Sequence, residues 1–76
     1  MELKVFLANF ANQFDETNPE EITPSTKFHE LEEWGSLVGM GVIALAKIEY
    51  GTTITGKELR DCVTVEDVFN LIASKK

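Results

Sequence analysis

The chain has 76 residues, a net charge of −6 and a sequence pI of about 4.6. That length suits one domain, and 43% apolar residues can supply a core while excluding a disordered or fibrous chain. The acidity excludes nucleic acid and anionic lipid as electrostatic partners; basic protein partners and simple solubility are both compatible with it.

The first predicted element is a helix. Leu3, Phe6, Leu7, Phe10 and Phe14 recur at helical spacing. Glu2, Asn9, Asn12 and Gln13 supply a wet side, and the helix is expected to end before Asp15, where Thr17, Asn18 and Pro19 punctuate the chain. No basic region followed by an apolar run opens the sequence, so no secretory leader is expected.

Asp15 to Gly35 is long for a connection. Ile22, Phe28, Leu31 and Trp34 provide apolar anchors along it, and Pro19 and Pro24 stiffen it. The expected structure is an irregular crossover pinned to the core, with a helical turn around Phe28 to Leu31. Such a crossover lets the next helix take an orientation that a short turn forbids.

That next helix is expected from Ser36 to Tyr50, with Gly51 as the left-handed residue that stops it. Apolar residues cover nearly its whole circumference, and Lys47 and Glu49 are its only charges. A helix apolar on all sides asks to be buried on all sides, which so small a domain cannot provide. Part of its surface is therefore expected to meet solvent, a ligand or a partner. The uncharged run from Trp34 to Ala46 has 13 residues, too short to span a bilayer.

Thr55 with Glu58 three residues later reads as a capping box opening a short helix that contains Leu59. Cys62 is the only cysteine. It excludes an internal disulfide and fits a reducing, cytoplasmic compartment. Thr64 and Asp67 repeat the cap ahead of a last helix whose stripe is Val65, Val68, Phe69 and Ile72, with Lys75 and Lys76 at the negative end of its dipole. The expectation is one all-α domain over residues 1–76, with three main helices, one short one and a long first loop.

Catalytic chemistry is poorly supplied. His29 is the only histidine and is expected to be solvated; a Ser/His/Asp triad would need it beside a serine. One Cys and one His do not make a zinc site, and "GSLVGMG" lacks the spacing of a phosphate loop. Glu30, Glu32 and Glu33 read as solvated surface. An enzyme is not expected, nor a metal site.

Ser36 sits at the head of the oily helix. Free N–H groups and a positive dipole end there favour a phosphate or phosphodiester. With no adjacent base, Ser36 is not itself an activated nucleophile, so another enzyme would have to modify it. Taken alone, it reads as a simple helix cap.

The order Phe28, Leu31, Trp34-Gly35-Ser36-Leu37, an apolar helix ending in "EYG", Ile54 and then "TVEDVFNLI" resembles the acyl carrier protein family. The resemblance spans about the last two thirds of the chain, and the first helix fits it. It implies a four-helix bundle with a long first loop and a short third helix. It also implies that Ser36 receives 4′-phosphopantetheine from CoA through a separate, Mg-dependent phosphopantetheinyl transferase. Acyl groups would then ride as thioesters on the arm, for fatty-acid or polyketide-type biosynthesis. Partners would be that transferase and acyl-transferring or synthase enzymes, the chain acting as a cytoplasmic monomer. Gly35, Leu37, Val38, Met40, Gly41 and Ala44 would flank the arm and face those partners. The same residues are compatible with a peptidyl carrier, or with a carrier-like interaction domain that is never loaded.

The sequence departs from the family at two points. The family motif Asp-Ser-Leu is Gly35-Ser36-Leu37 here, and the aspartate serves the transferase and its metal. The usually acidic face of the second helix is Val38, Gly41, Ala44 and Lys47, which shifts partner recognition toward apolar contact, while acidity collects upstream at Glu30, Glu32 and Glu33. Gly39 and Gly41 each cost about 1 kcal/mol against alanine in a helix interior. They read either as close approach to a neighbour or as a soft stretch of helix. Met40 reads as core filler or as an adaptable partner contact.

Overall fold

Leu3, Phe6, Leu7 and Phe10 repeat at intervals of three and four. In the computed structural model, which describes residues 2–75, they form the buried side of α1 (Leu3–Ala11). The helix stops three residues short of the expected end. Gln13 and Phe14 donate to the carbonyls of Phe10 and Ala11 at 3.1 and 3.0 Å, so the chain tightens into i-to-i+3 turns. Phe14 still reaches the core, from a turn rather than from a helix face.

The crossover is more ordered than a loop. Asn18 accepts from the Glu20 amide at 2.9 Å and caps a 3-10 turn at Pro19–Glu21, which sequence reasoning did not anticipate. A second 3-10 turn, Phe28–Glu30, falls where a helical turn was expected. Ile22 and Phe28 are buried. Phe28 meets Phe10 edge-on at 5.7 Å and Trp34 at 4.6 Å, while Trp34 lies parallel to Phe10 at 6.4 Å. These offset and edge contacts are the favourable arrangements for aromatic rings, and they fasten the second half of the crossover to α1.

Glu33, near the end of that connection, holds its start, which corrects its reading as solvated surface. Its carboxylate accepts from the amides of Asp15, Glu16 and Thr17 at 2.6, 3.0 and 2.8 Å and from the Thr17 hydroxyl at 2.7 Å. The Thr17 hydroxyl foremost, and then the three amides, hold the carboxyl below the ordinary glutamate range, against an opposing desolvation.

α2 (Ser36–Tyr50) ends as expected at Gly51, whose φ of 60° is left-handed. The Gly51 amide donates to the Lys47 carbonyl at 3.1 Å, the closure of a left-handed cap, and the Thr52 amide donates to the Ala46 carbonyl at 3.0 Å. α3 (Gly56–Asp61) carries the expected capping box between Thr55 and Glu58. α4 (Val65–Lys75) starts at Thr64, whose hydroxyl accepts from the Asp67 amide at 3.2 Å while Asp67 accepts from the Val63 and Thr64 amides at 3.0 Å. The amides of Val65 and Glu66 reach across to the carbonyls of Thr26 and Pro24, so the crossover also caps α4. Lys75 does more than face a dipole: it binds Glu58 at 2.8 Å and the Thr53 carbonyl at 3.1 Å, tying α4 to α3. The expectation for Lys76 lies outside the described residues.

The result is an all-α bundle in which α1 packs on α2 and α4 and α3 packs on α2. Phe6, Phe10, Phe28, Val42, Ile54, Val65, Val68 and Ile72 form its fully buried centre. No described helix is long and apolar enough to cross a membrane.

Glu33→Gln is expected to lower the melting temperature at neutral pH. Because folding depresses this carboxyl's pKa, its stabilisation is complete above the unfolded value of about 4.3. It disappears as pH falls through the lower, folded value. Melting curves from neutral pH down to pH 3 should therefore show the gap between wild type and variant closing on the acid side; a gap independent of pH would refute this role.

Candidate functional site

Trp34 determines where α2 begins. Its amide donates to the Leu31 carbonyl at 3.0 Å and its ring is held by Phe10, Phe14 and Phe28. The two residues after this anchor emerge at the surface. Gly35 is the N-cap, fully extended at φ −173° and ψ −172°, and a Cβ there would meet nothing within 4 Å. Any L-residue fits such a backbone. With glycine at the cap, no side chain bonds the first-turn amides of α2, which therefore remain open to solvent or to an anion.

Ser36 is the first helical residue and is exposed. Among the described residues its hydroxyl has no hydrogen-bond partner. It borders a groove of about 410 Å³ between α2 and α3, walled by Trp34, Gly39, Met40, Ile43 and Leu59 with His29 and Arg60 at its margin. The wall is mostly carbon. The His29 ring packs on Phe28 at 4.3 Å, and Nε2 lies 2.9 Å from the Cys62 carbonyl. A carbonyl only accepts, so Nε2 carries the proton and is already engaged. Although exposed, His29 is thus fixed in place rather than freely solvated. No described cluster of three or more His, Cys, Asp or Glu could hold a metal.

The stripe beyond Ser36 is apolar and open. Leu37, Met40 and Ile48 are 83%, 67% and 79% exposed, and Ala44 lies among them. Positions 37, 40, 44 and 48 share one helix face. Two residues expected on that face are elsewhere. Val38 is only 9% exposed and belongs to the core, one residue's rotation from Leu37. Gly41 is half-buried against the turn that follows α1: a Cβ there would lie 2.7 Å from Gln13 Oε1. Ile48 was missed, although its spacing from Leu37, Met40 and Ala44 marks it. Arg60 carried no sequence signal, because only the packing of α3 on α2 brings it to the groove.

The two central glycines differ. Gly41 is a true close approach, relieved only if the flexible Gln13 amide turns away from the Asn9 carbonyl that it now donates to at 3.2 Å. At Gly39 an added Cβ would touch Trp34 and Leu59 at 3.6 and 3.8 Å, ordinary contact distances. Space does not require glycine at that position.

The chain has no match among family models, curated proteins or solved structures.

Cys62, which caps the end of α3, is buried, and desolvation first, with Asp67, Asp61 and Glu58 adding to it, pushes its thiol pKa up. It is unsuited to thiolate chemistry at neutral pH.

Gly39→Ala is expected to stabilise the protein by roughly 1 kcal/mol, the helix-propensity difference with no steric charge against it. Urea denaturation monitored by circular dichroism measures this. A destabilised variant would show that the groove wall cannot accept even a methyl group.

Proposed function

We propose that this chain is a carrier protein of the acyl carrier type, modified on Ser36 with 4′-phosphopantetheine. The observation that carries this reading is the exposed, unpartnered Ser36 hydroxyl at the first position of α2. Beside it are uncapped helix amides and a groove with apolar walls. These residues fit the group. The amides suit a phosphodiester, and the carbon-lined wall suits an alkyl arm. When bound, the group supplies a terminal thiol that holds acyl cargo as a thioester. The chain's own contribution is presentation: the Trp34 anchor keeps Ser36 outside the core, and Leu37, Met40, Ala44 and Ile48 offer an apolar face to the enzymes that load and unload the arm. Their chemistry belongs to fatty-acid or polyketide-type synthesis in the cytoplasm.

Gly35 favours a second reading. The family's aspartate, which serves the transferase and its metal, is absent, and an unloaded interaction domain would tolerate that loss. It would bind its partner through the same stripe with Ser36 dispensable.

Incubation with CoA, Mg²⁺ and a broad-specificity phosphopantetheinyl transferase separates the two. Intact-mass spectrometry should show one added phosphopantetheine on the wild type and none on Ser36→Ala; a bare wild-type mass would leave the unloaded reading. Gly35→Asp meets no steric obstacle. It should load faster, and it should gain a few tenths of a kcal/mol in stability from the restored cap. An unchanged rate would show that the aspartate's role is filled otherwise in this chain.

A further inference from the structure

Arg60 is the only arginine in a chain of net charge −6, yet it has no carboxylate partner among the described residues. The reason lies in how the neighbouring acids are used. On α3, Asp61 pairs with Lys57 at 3.2 Å and Glu58 with Lys75 at 2.8 Å. Asp67 is spent on the amides of Val63 and Thr64, and Glu33 on those of Asp15, Glu16 and Thr17. Arg60 is left exposed at the margin of the groove that Ser36 also borders.

We propose that Arg60 is the anion-binding residue of the site, and that its guanidinium holds the phosphodiester carried by Ser36. This rests on the carrier reading and extends it to a residue outside the serine motif. A guanidinium presents paired N–H donors in a fixed plane that matches two phosphate oxygens, which an ammonium does not. A phosphodiester keeps its negative charge and a guanidinium its positive charge throughout the neutral range, so the pair persists there. Trp34, Met40 and Leu59 would supply the apolar wall beside the arm. His29 acts as a positioning residue. Its Nε2–H donates to the carbonyl of Cys62, the residue that caps α3, at 2.9 Å. That bond fastens the end of the helix carrying Arg60 to the turn that precedes Ser36.

The test uses full-length, nitrogen-15-labelled chain, loaded with transferase and CoA and checked by intact mass. A single arginine gives a single side-chain Nε–Hε resonance, which should move on loading. The phosphorus-31 resonance of the loaded chain should differ between wild type and Arg60→Gln. Lys47→Gln, which removes an exposed cation from α2, should leave the phosphorus signal as in wild type. Arg60→Lys should fall between wild type and Arg60→Gln. Complete loading by mass with an unmoved Arg60 resonance and identical phosphorus spectra would overturn the assignment and leave the carrier reading intact. A bare mass would overturn both. Movement of the Arg60 resonance in Ser36→Ala under the same conditions would also overturn it, because free CoA would then be the ligand.

Discussion

The bundle depends on one aromatic contact set, in which Phe10 of α1 receives Phe28 and Trp34 from the crossover. Twenty-odd residues of connection cost conformational entropy, of order 1–2 kcal/mol per fixed backbone, and without a compensating burial they would not remain ordered. Large rings supply that burial from few positions. Because Trp34 is held, the next residue is already at the surface and α2 starts there. The exposure of Ser36 is thus a consequence of aromatic packing two residues upstream, and has little to do with the serine itself.

The acidic residues serve the same end by a different force. In a chain of net charge −6 mutual repulsion opposes compaction, but the acids that matter structurally are aimed at backbone amides. Glu33 gathers three from the start of the crossover, Asp67 two at α4, and Glu58 closes the box at α3 while holding Lys75. Each satisfies donors that no helix could satisfy. On α3 the acids flanking Arg60 are likewise engaged, Asp61 by Lys57 and Glu58 by Lys75, and Arg60 has no carboxylate partner among the described residues.

α2 resolves a conflict written into its composition. Its inner face, Val38, Val42, Leu45 and Ala46, is buried, while Leu37, Met40 and Ile48 face outward. An outward apolar stripe adds nothing to the stability of the isolated domain, and on the carrier reading it is the face presented to partner enzymes. Gly41 lets Gln13, in the turn after α1, approach closely, whereas Gly39 has room for a methyl group. The same residue type at neighbouring positions thus meets a steric demand in one case and none in the other.

Helix number and type, the capping boxes at Thr55 and Thr64 and the stop at Gly51 were legible in the sequence, because propensity, capping and left-handed φ are local properties read over a few residues. The position of Ser36 at a helix start was legible for the same reason. Which side of α2 faces outward was not: Leu37 and Val38 are adjacent, equally apolar and oppositely placed, and only packing against α1 and α3 separates them. The early end of α1, the gathering of amides by Glu33 and the arrival of Arg60 at the groove that Ser36 borders were also decided by tertiary structure. Each of the last two joins residues 16 or more positions apart, a distance over which no local periodicity carries information.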